Sequence, residues 1–271
     1  MSATPPIVLS VTSGKGGVGK TNISVNLALC LGRLGRRCVI LDADLGLANV
    51  DVMLGLTPEK NLFHVFHEGV SLKDILHPTP YGFSILPASS GVSEMLSLST
   101  GQKLELLEAV DALEDRIDFL IVDTGAGIND NVLYFNLAVQ ERLLVVTPEP
   151  TSLTDVYALI KVLKLRHGVD RFHVVVNMAK NDKSAKDIFS KLYNACDHFL
   201  GGVSLDFVGT IPLDPAVRQS VIRQQPFCSL SPESEAALAM HGIARNIAQW
   251  KPQEHLDGNI KFFWKKLLFA E

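Results

Sequence analysis

Residues 7–21 read Ile-Val-Leu-Ser-Val-Thr-Ser-Gly-Lys-Gly-Gly-Val-Gly-Lys-Thr. The apolar and β-branched run Ile7–Thr12 predicts a strand buried on both faces. Gly14–Thr21 fits G-x-x-x-x-G-K-T, and Asn22–Leu34 predicts the helix that follows. Strand, glycine loop and helix in that order are the context a phosphate loop requires. Its glycines let backbone N–H groups curl around phosphate oxygens, and the helix N-terminus adds its positive end. Lys20 is expected to reach the β- and γ-phosphates, and the Thr21 hydroxyl to ligate Mg²⁺. Gly14, Lys15, Gly16, Gly17, Val18, Gly19, Lys20, Thr21 and Asn22 are therefore the first candidate nucleotide-binding residues.

Outward from this loop, short apolar runs alternate with helical stretches. Further strands are predicted at Cys38–Leu41, Phe83–Leu86, Phe119–Val122, Leu143–Thr147, His173–Val176 and Phe207–Ile211. Helices are predicted at Lys103–Leu113, Ser152–Arg166, Ala185–Phe199, Pro215–Gln224 and Pro232–Gln249, the last with Ser231 as N-cap. The pattern predicts an α/β fold of the P-loop NTPase type, a mostly parallel twisted sheet with helices on both faces. Residues 1–250 read as one domain, 251–258 as a polar tether and 259–271 as a separate helix.

Composition narrows the function classes. The 271 residues are 47% hydrophobic and 20% charged with net charge −4, enough to bury a core and without the basic footprint of nucleic-acid binding. Cys30, Cys38, Cys196 and Cys228 are far apart with no C-x-x-C pair, so no zinc site, iron–sulfur site or disulfide framework is expected. His64, His67 and His167 show no ligand spacing and are assigned to surface or core packing. Met1–Ser10 lacks a basic leader and no apolar run reaches the 18 residues of a membrane span, so a cytoplasmic chain is expected.

A rival reading rests on the same glycines, because Gly14-x-Gly16-x-x-Gly19 also satisfies the dinucleotide fingerprint, with Asp42 as the ribose acid. An oxidoreductase of that kind needs no cation after the last glycine, yet Lys20-Thr21 stands there. Two more acids, Asp44 and Asp123, end strands beside Asp42. Three carboxylates near a phosphate loop suit a hydrated Mg²⁺, which favours ATP over a dinucleotide.

Lys15, directly after the first glycine, makes the loop resemble the deviant Walker A motif K-G-G-x-G-K-T of the MinD/ParA family. The resemblance implies a slow, Mg²⁺-dependent ATPase in which two subunits sandwich ATP. Lys15 would then stabilise transition-state charge on the other subunit's phosphates, as an arginine finger does. Residues 42–51, Asp-Ala-Asp-Leu-Gly-Leu-Ala-Asn-Val-Asp, are similar to the family's first switch. This implies that Asp44 positions or deprotonates the attacking water and that Asp42 supports the metal. Asp123-Thr124-Gly125-Ala126-Gly127 resembles the Walker B and second switch, with Asp123 holding Mg²⁺ through water; Gly125 departs from the usual Pro or Ala. Asn177 matches a residue that reads adenine, and Pro212 and Asp214 match the loop covering the base. Glu149 and Asp155 resemble acids of the dimer face, Glu149 near the second nucleotide's ribose.

Residues 44–56 and 149–161 look closer to the flagellar-number regulators of the FlhG/FleN branch than to division-site MinD or ParA partition proteins. That implies the flagellar GTPase FlhF and a flagellar transcription activator as partners. The glutamine- and leucine-containing N-terminal motif of many FlhG proteins is not seen in Met1–Pro6, which favours restraint of the activator. In the segment 259–269 (Asn-Ile-Lys-Phe-Phe-Trp-Lys-Lys-Leu-Leu-Phe), Ile260, Phe263, Trp264, Leu267 and Leu268 share one helical face, flanked by Lys261, Lys265 and Lys266. These are the ingredients of an interfacial membrane helix, weak singly and stronger as a pair. Packing of the same helix on the domain, alone or in the ADP state, is the alternative. A metal-cluster carrier ATPase of related fold would need a cysteine pair across a dimer axis, which this spacing does not offer.

Overall fold

The computed structural model describes residues 5–88, 98–113, 116–251 and 261–262. Strand β1 (Ile7–Ser13) lies inside an eight-stranded sheet of order β3-β4-β2-β5-β1-β6-β7-β8. The other strands are β2 (Cys38–Ala43), β3 (His77–Pro78), β4 (Ser84–Leu86), β5 (Phe119–Ala126), β6 (Glu141–Val146), β7 (Arg171–Ala179) and β8 (Ser204–Pro212). All pairings are parallel except β3–β4. Each of the seven predicted strands is present. The edge strand β3 has two residues, too few to show an alternation in sequence.

Helices α1 (Lys20–Arg33), α5 (Thr100–Asp111), α7 (Pro150–His167), α8 (Asp182–Phe199), α9 (Pro215–Ile222) and α11 (Glu235–Ile247) match the predicted ones within a few residues. Ser234, not Ser231, caps α11 by accepting from the Ala237 N–H at 3.3 Å. Five further helices are α2 (Val50–Leu54), α3 (Leu62–Glu68), α4 (Leu72–Ile75), α6 (Asp130–Ala138) and α10 (Phe227–Leu230).

Side chains of β1 alternate between the two layers, as the pleat requires. Ile7, Leu9 and Val11 join a core with Leu27 and Leu31 of α1 and Ile243 of α11. Val8 joins the opposite layer with Phe135 of α6 and Leu106 of α5. On that second face two β1 hydroxyls are buried. Ser10 Oγ donates to Asn136 Oδ1 at 2.9 Å, and Asn136 Nδ2 donates to Thr12 Oγ1 at 3.0 Å. Asn136→Leu keeps the branching but strands both hydroxyls and adds bulk, so it should lower unfolding free energy by about 2 kcal/mol or more. Urea denaturation measures this; an unchanged midpoint would show that the ladder carries no stability.

Two residues of the terminal segment are described, and both are buried. Phe262 lies in the Leu106–Phe135 core, and its N–H donates to Ala138 O at 2.8 Å. Lys261 Nζ donates to Leu137 O and Val139 O at 3.2 and 3.1 Å. The expectation that Lys261 flanks an exposed apolar face is therefore corrected for this arrangement. The last carbonyls of α6 have no helical partners, and a cation there meets the negative end of the helix. Ile260, Phe263, Trp264, Lys265, Lys266, Leu267 and Leu268 lie outside the described residues, as does most of the tether at 251–258. Among the described residues, no helix is long and apolar enough to cross a membrane.

Candidate nucleotide-binding and hydrolysis site

The loop between β1 and α1 opens at the C-terminal edge of the sheet, where the chain's connections diverge to either side of β1. Ligands of α/β sheets bind in such crevices. Gly14 is required by contact: a Cβ there would lie 2.1 Å from the backbone oxygen of Asp155 in α7. Gly19 precedes α1 with φ 94°, in the left-handed region that favours glycine. A Cβ on it would meet Asn177 Nδ2 at 2.5 Å. That same Nδ2 donates to Val18 O at 2.8 Å, so Asn177 braces the loop from the end of β7. Gly14→Ala should force α7 and the loop apart. The expected result is a lowered melting temperature and a nucleotide affinity reduced more than tenfold in a fluorescent-nucleotide titration; wild-type values for both would show that the contact is yielding.

Register brings the acids together. Asp42 on β2 is the direct neighbour of Asp123 on β5, and both are 1% exposed. Asp123 accepts from Ser24 Oγ at 2.8 Å and from the Thr21 hydroxyl. Asp42 is occupied by the backbone, accepting from the N–H groups of Asp44, Asn49 and Val50 at 3.2, 3.0 and 3.1 Å. It clasps the loop leading into α2. Asp44 stands beside Gly125, whose absent Cβ would come within 3.2 Å of Asp44 Oδ1. The Gly125 departure thus leaves room for the Asp44 carboxylate.

These carboxylates carry more negative charge than the chain neutralises. Burial pushes Asp123 up to about 6, against the hydrogen bonds of Thr21 and Ser24 and the charge of Lys20, and Asp44 adds repulsion. Burial and then Asp123 raise Asp42 well above the usual range, against its three backbone donors. Burial also raises Asp44, while Lys20 and the Leu47 N–H oppose it. Lys20 itself is lowered by burial, with Asp123 and Asp44 acting the other way. A divalent cation fits this excess charge, and Thr21 and Asp123 are the oxygen donors placed to meet it, with Asp42 behind them.

A pH prediction follows from the signs. A carboxyl raised in the folded state binds protons there before it does in the unfolded chain. The stability contributed by Asp123 is therefore greatest at low pH and falls as pH rises from about 4 to above 6. The shift corresponds to roughly 3 kcal/mol at most. Asp123→Asn should stabilise the metal- and nucleotide-free chain at pH 7.5 and flatten its stability profile between pH 4 and 7. Denaturant midpoints across that range check it; a profile identical to wild type would remove Asp123 as the source.

The cavity has a volume of about 750 Å³ and is lined by Gly16, Gly17, Gly19, Lys20, Thr21, Asn22, Asp44 and Gly125. Asn49, Asn129, Met178, Val221 and Gln224 complete it from four separate segments, and none was singled out from the sequence. Asn49 lies within the quoted switch motif, but the other four have no local signature. Pro212 and Asp214 are not among the lining residues. Asp214 is a structural cap: Oδ1 accepts from the Ala216 N–H at 2.8 Å and Oδ2 from the Ala236 N–H at 3.0 Å, joining α9 to α11. Both carboxylate oxygens are thereby engaged, which fixes the loop that the resemblance expects to cover the base.

Lys15 turns away from the cavity. Its Nζ forms an ion pair with Glu149 and donates to Thr151 Oγ1 at 2.9 Å. The acid expected at a dimer face and the signature lysine thus meet within one chain, at a partly exposed surface. Asp155 is the neighbour of Gly14.

A glycine loop between β1 and α1, with Lys20 and Thr21 at the helix start and buried carboxylates on β2 and β5, defines a P-loop nucleotide-binding protein. The family model "ParA: NUBPL iron-transfer P-loop NTPase" matches residues 6–248, and the chain belongs to the ParA family of P-loop NTPases. It is 48% identical to the antiactivator FleN of Pseudomonas aeruginosa over 267 residues, covering 98% of this chain and 95% of that protein. It is 29% identical to the flagellum site-determining protein YlxH of Helicobacter pylori, covering 96% of this chain and 89% of that one. Among solved structures, the septum site-determining protein MinD of Pyrococcus horikoshii complexed with Mg-ADP matches with TM-score 0.75 and 26% identity, over 90% of this chain and 96% of that chain. The resemblance to MinD/ParA proteins and to the flagellar regulators among them holds.

Proposed function

We propose that this chain is a Mg²⁺-dependent ATPase that works as a dimerisation switch: single with ADP or no nucleotide, paired across two ATP molecules, and reset by slow hydrolysis. The observation that carries this reading is Lys15, a phosphate-loop lysine whose ammonium is outside its own cavity and held at the surface by Glu149 and Thr151. An exposed pair of this kind is worth at most about 1 kcal/mol, so a second copy's phosphates readily replace it. Lys20 and the loop N–H groups bind the β- and γ-phosphates. Thr21 and Asp123 hold Mg²⁺, which neutralises phosphate charge when bound. Asp44 orients the attacking water and takes its proton.

Likeness to an antiactivator and to a flagellum site-determining protein supports control of flagellar number or placement as the output, and the family resemblance adds a flagellar transcription activator and FlhF as the partner classes. Division-site positioning, as in MinD, is the alternative. The protein then acts in the cytoplasm and reversibly at the inner face of its membrane, through the 259–271 helix. The buried Lys261 and Phe262 make release of these two residues from the end of α6 a precondition of lipid binding by that segment.

Light scattering of the purified chain tests the switch. Mass should double with Mg-ATP and stay single with Mg-ADP or ATP without Mg²⁺. Equal mass in all three would remove the dimerisation reading and leave a P-loop NTPase of another kind.

A further inference from the structure

On the face of the sheet that carries α1, three chain segments far apart in sequence bring their soft donors together. Cys30 of α1, Cys228 of α10 and His241 of α11 each place one ligand atom within 4.8 Å of the other two. The expectation that widely spaced cysteines exclude a metal site looked only at local spacing; the fold closes the distance by packing α10 and α11 on α1. We propose that Cys30, Cys228 and His241 form a buried site for the thiophilic ion Cu(I), held by two sulfurs and one nitrogen.

The position of the donors is fixed by bonds that do not involve them. Asn26 Oδ1 accepts from the Cys228 N–H at 2.9 Å, and Arg33 Nη1 donates to Cys228 O at 3.1 Å. The cysteine backbone is therefore pinned to α1 from both of its peptide groups, a preorganisation that simple packing of a small apolar side chain does not need. Both cysteines are buried, and His241 is the half-buried member that opens to solvent and gives an ion its entry.

Donor number and charge choose the ion. Thiolate and imidazole donors suit Cu(I) and Zn²⁺. Zn²⁺ is almost always four-coordinate, and among the described residues the cluster supplies three protein ligands. Three donors complete a trigonal Cu(I) centre. Two thiolates, one neutral imidazole and Cu(I) sum to one negative charge, and the Arg33 guanidinium beside Cys228 offsets it. Binding is a simple exchange: each S–H bond gives way to an S–Cu bond, and two protons leave per ion. A disulfide between the same cysteines would need an external oxidant and would leave the histidine without a part. The ion would fasten α11 and α10, the latter packed on the helix α9 that lends Val221 to the nucleotide cavity, to the helix that begins at the phosphate loop. Cys30 lies ten residues along α1 from Lys20, about 15 Å, so the ion acts on rigidity and not on phosphate.

The full chain, reduced and kept anaerobic, is titrated with Cu(I) against a chromophoric Cu(I) chelator. One equivalent should be retained by the wild type. Cys30→Ser and Cys228→Ser should weaken retention by at least about 100-fold, more than the loss of an outer contact, while Cys38→Ser and Cys196→Ser should not. Because a core variant can fail to fold, His241→Gln, at a less buried position, is tested alongside and should also lose affinity at an unchanged metal-free melting temperature. X-ray absorption of the loaded wild type should show two sulfurs and one nitrogen around copper. Less than one retained equivalent, equal retention by Cys228→Ser and His241→Gln, or a two-sulfur shell without nitrogen would overturn the site. Uptake of Zn²⁺ at these residues with no retention of Cu(I) would overturn the choice of ion.

Discussion

Lys15→Ala is expected to lower steady-state ATP turnover by about 10³-fold or more, the scale of losing a cation donated across an interface. Nucleotide affinity of the single chain should stay at the wild-type value. The separation of the two effects follows from where the charge sits. Lys15 is not among the cavity-lining residues, and its ammonium is bound to Glu149 and Thr151. Removing it takes nothing from the cradle built by Gly16, Gly17, Gly19 and Lys20. What is lost appears only when a second copy presents its phosphates. Phosphate release at saturating ATP and a fluorescent-nucleotide titration measure the two quantities separately. A parallel loss of affinity in the single chain would place Lys15 in its own site and remove the argument for action on a second copy.

The sheet was legible because its strands carry unbroken apolar runs, and burial on both faces leaves such runs as their signature. β1 and β6 are buried along their whole length. The helices that escaped were short or lacked a stripe. α2, α3 and α4 have five, seven and four residues, too few to repeat a 3.6-residue period. α6 has nine residues and buries Val132, Phe135, Asn136 and Ala138. Its buried asparagine faces two serine- and threonine-type hydroxyls on β1, so the position reads as polar in sequence while being interior in the fold.

The site divides in the same physical way. The phosphate loop and the Asp42–Asp44 and Asp123–Gly127 segments are contiguous chain, and their chemistry needs neighbours in sequence. Met178 enters the cavity from β7, and Val221 and Gln224 from the end of α9, all set by tertiary packing alone. Asp214 has a structural part that the family pattern does not announce. It stands where a family pattern puts a base contact, yet both its oxygens accept backbone N–H groups of α9 and α11. An aspartate at a strand end is a helix cap first, because an uncapped helix start leaves donors unpaired. Cys30, Cys228 and His241 show that donor spacing along the chain says nothing about helices that later pack together.

Asp44→Ala should lower ATP hydrolysis by about 10²- to 10⁴-fold, the range for losing a positioned acid–base group, and it should trap the nucleotide rather than lose it. Asp44 borders the cavity from the loop after β2, beside Gly125, and the phosphate cradle is built by Gly16, Gly17, Gly19 and Lys20. Lys20, Thr21 and the Asp123 carboxylate, which serve phosphate and cation in this reading, are untouched by the change. ATP affinity is thus retained while the water loses its acceptor. Light scattering with Mg-ATP should find Asp44→Ala as a long-lived dimer, whereas Lys15→Ala, lacking the cation that bridges to the second phosphate, should remain single. The opposite pairing of phenotypes would exchange the two roles: Asp44 would then be needed to assemble the dimer and Lys15 only to empty it. An Asp44→Ala chain that hydrolyses ATP at the wild-type rate would leave the water without an identified base, and Asn129, the other polar group lining that side of the cavity, would become the residue to replace next.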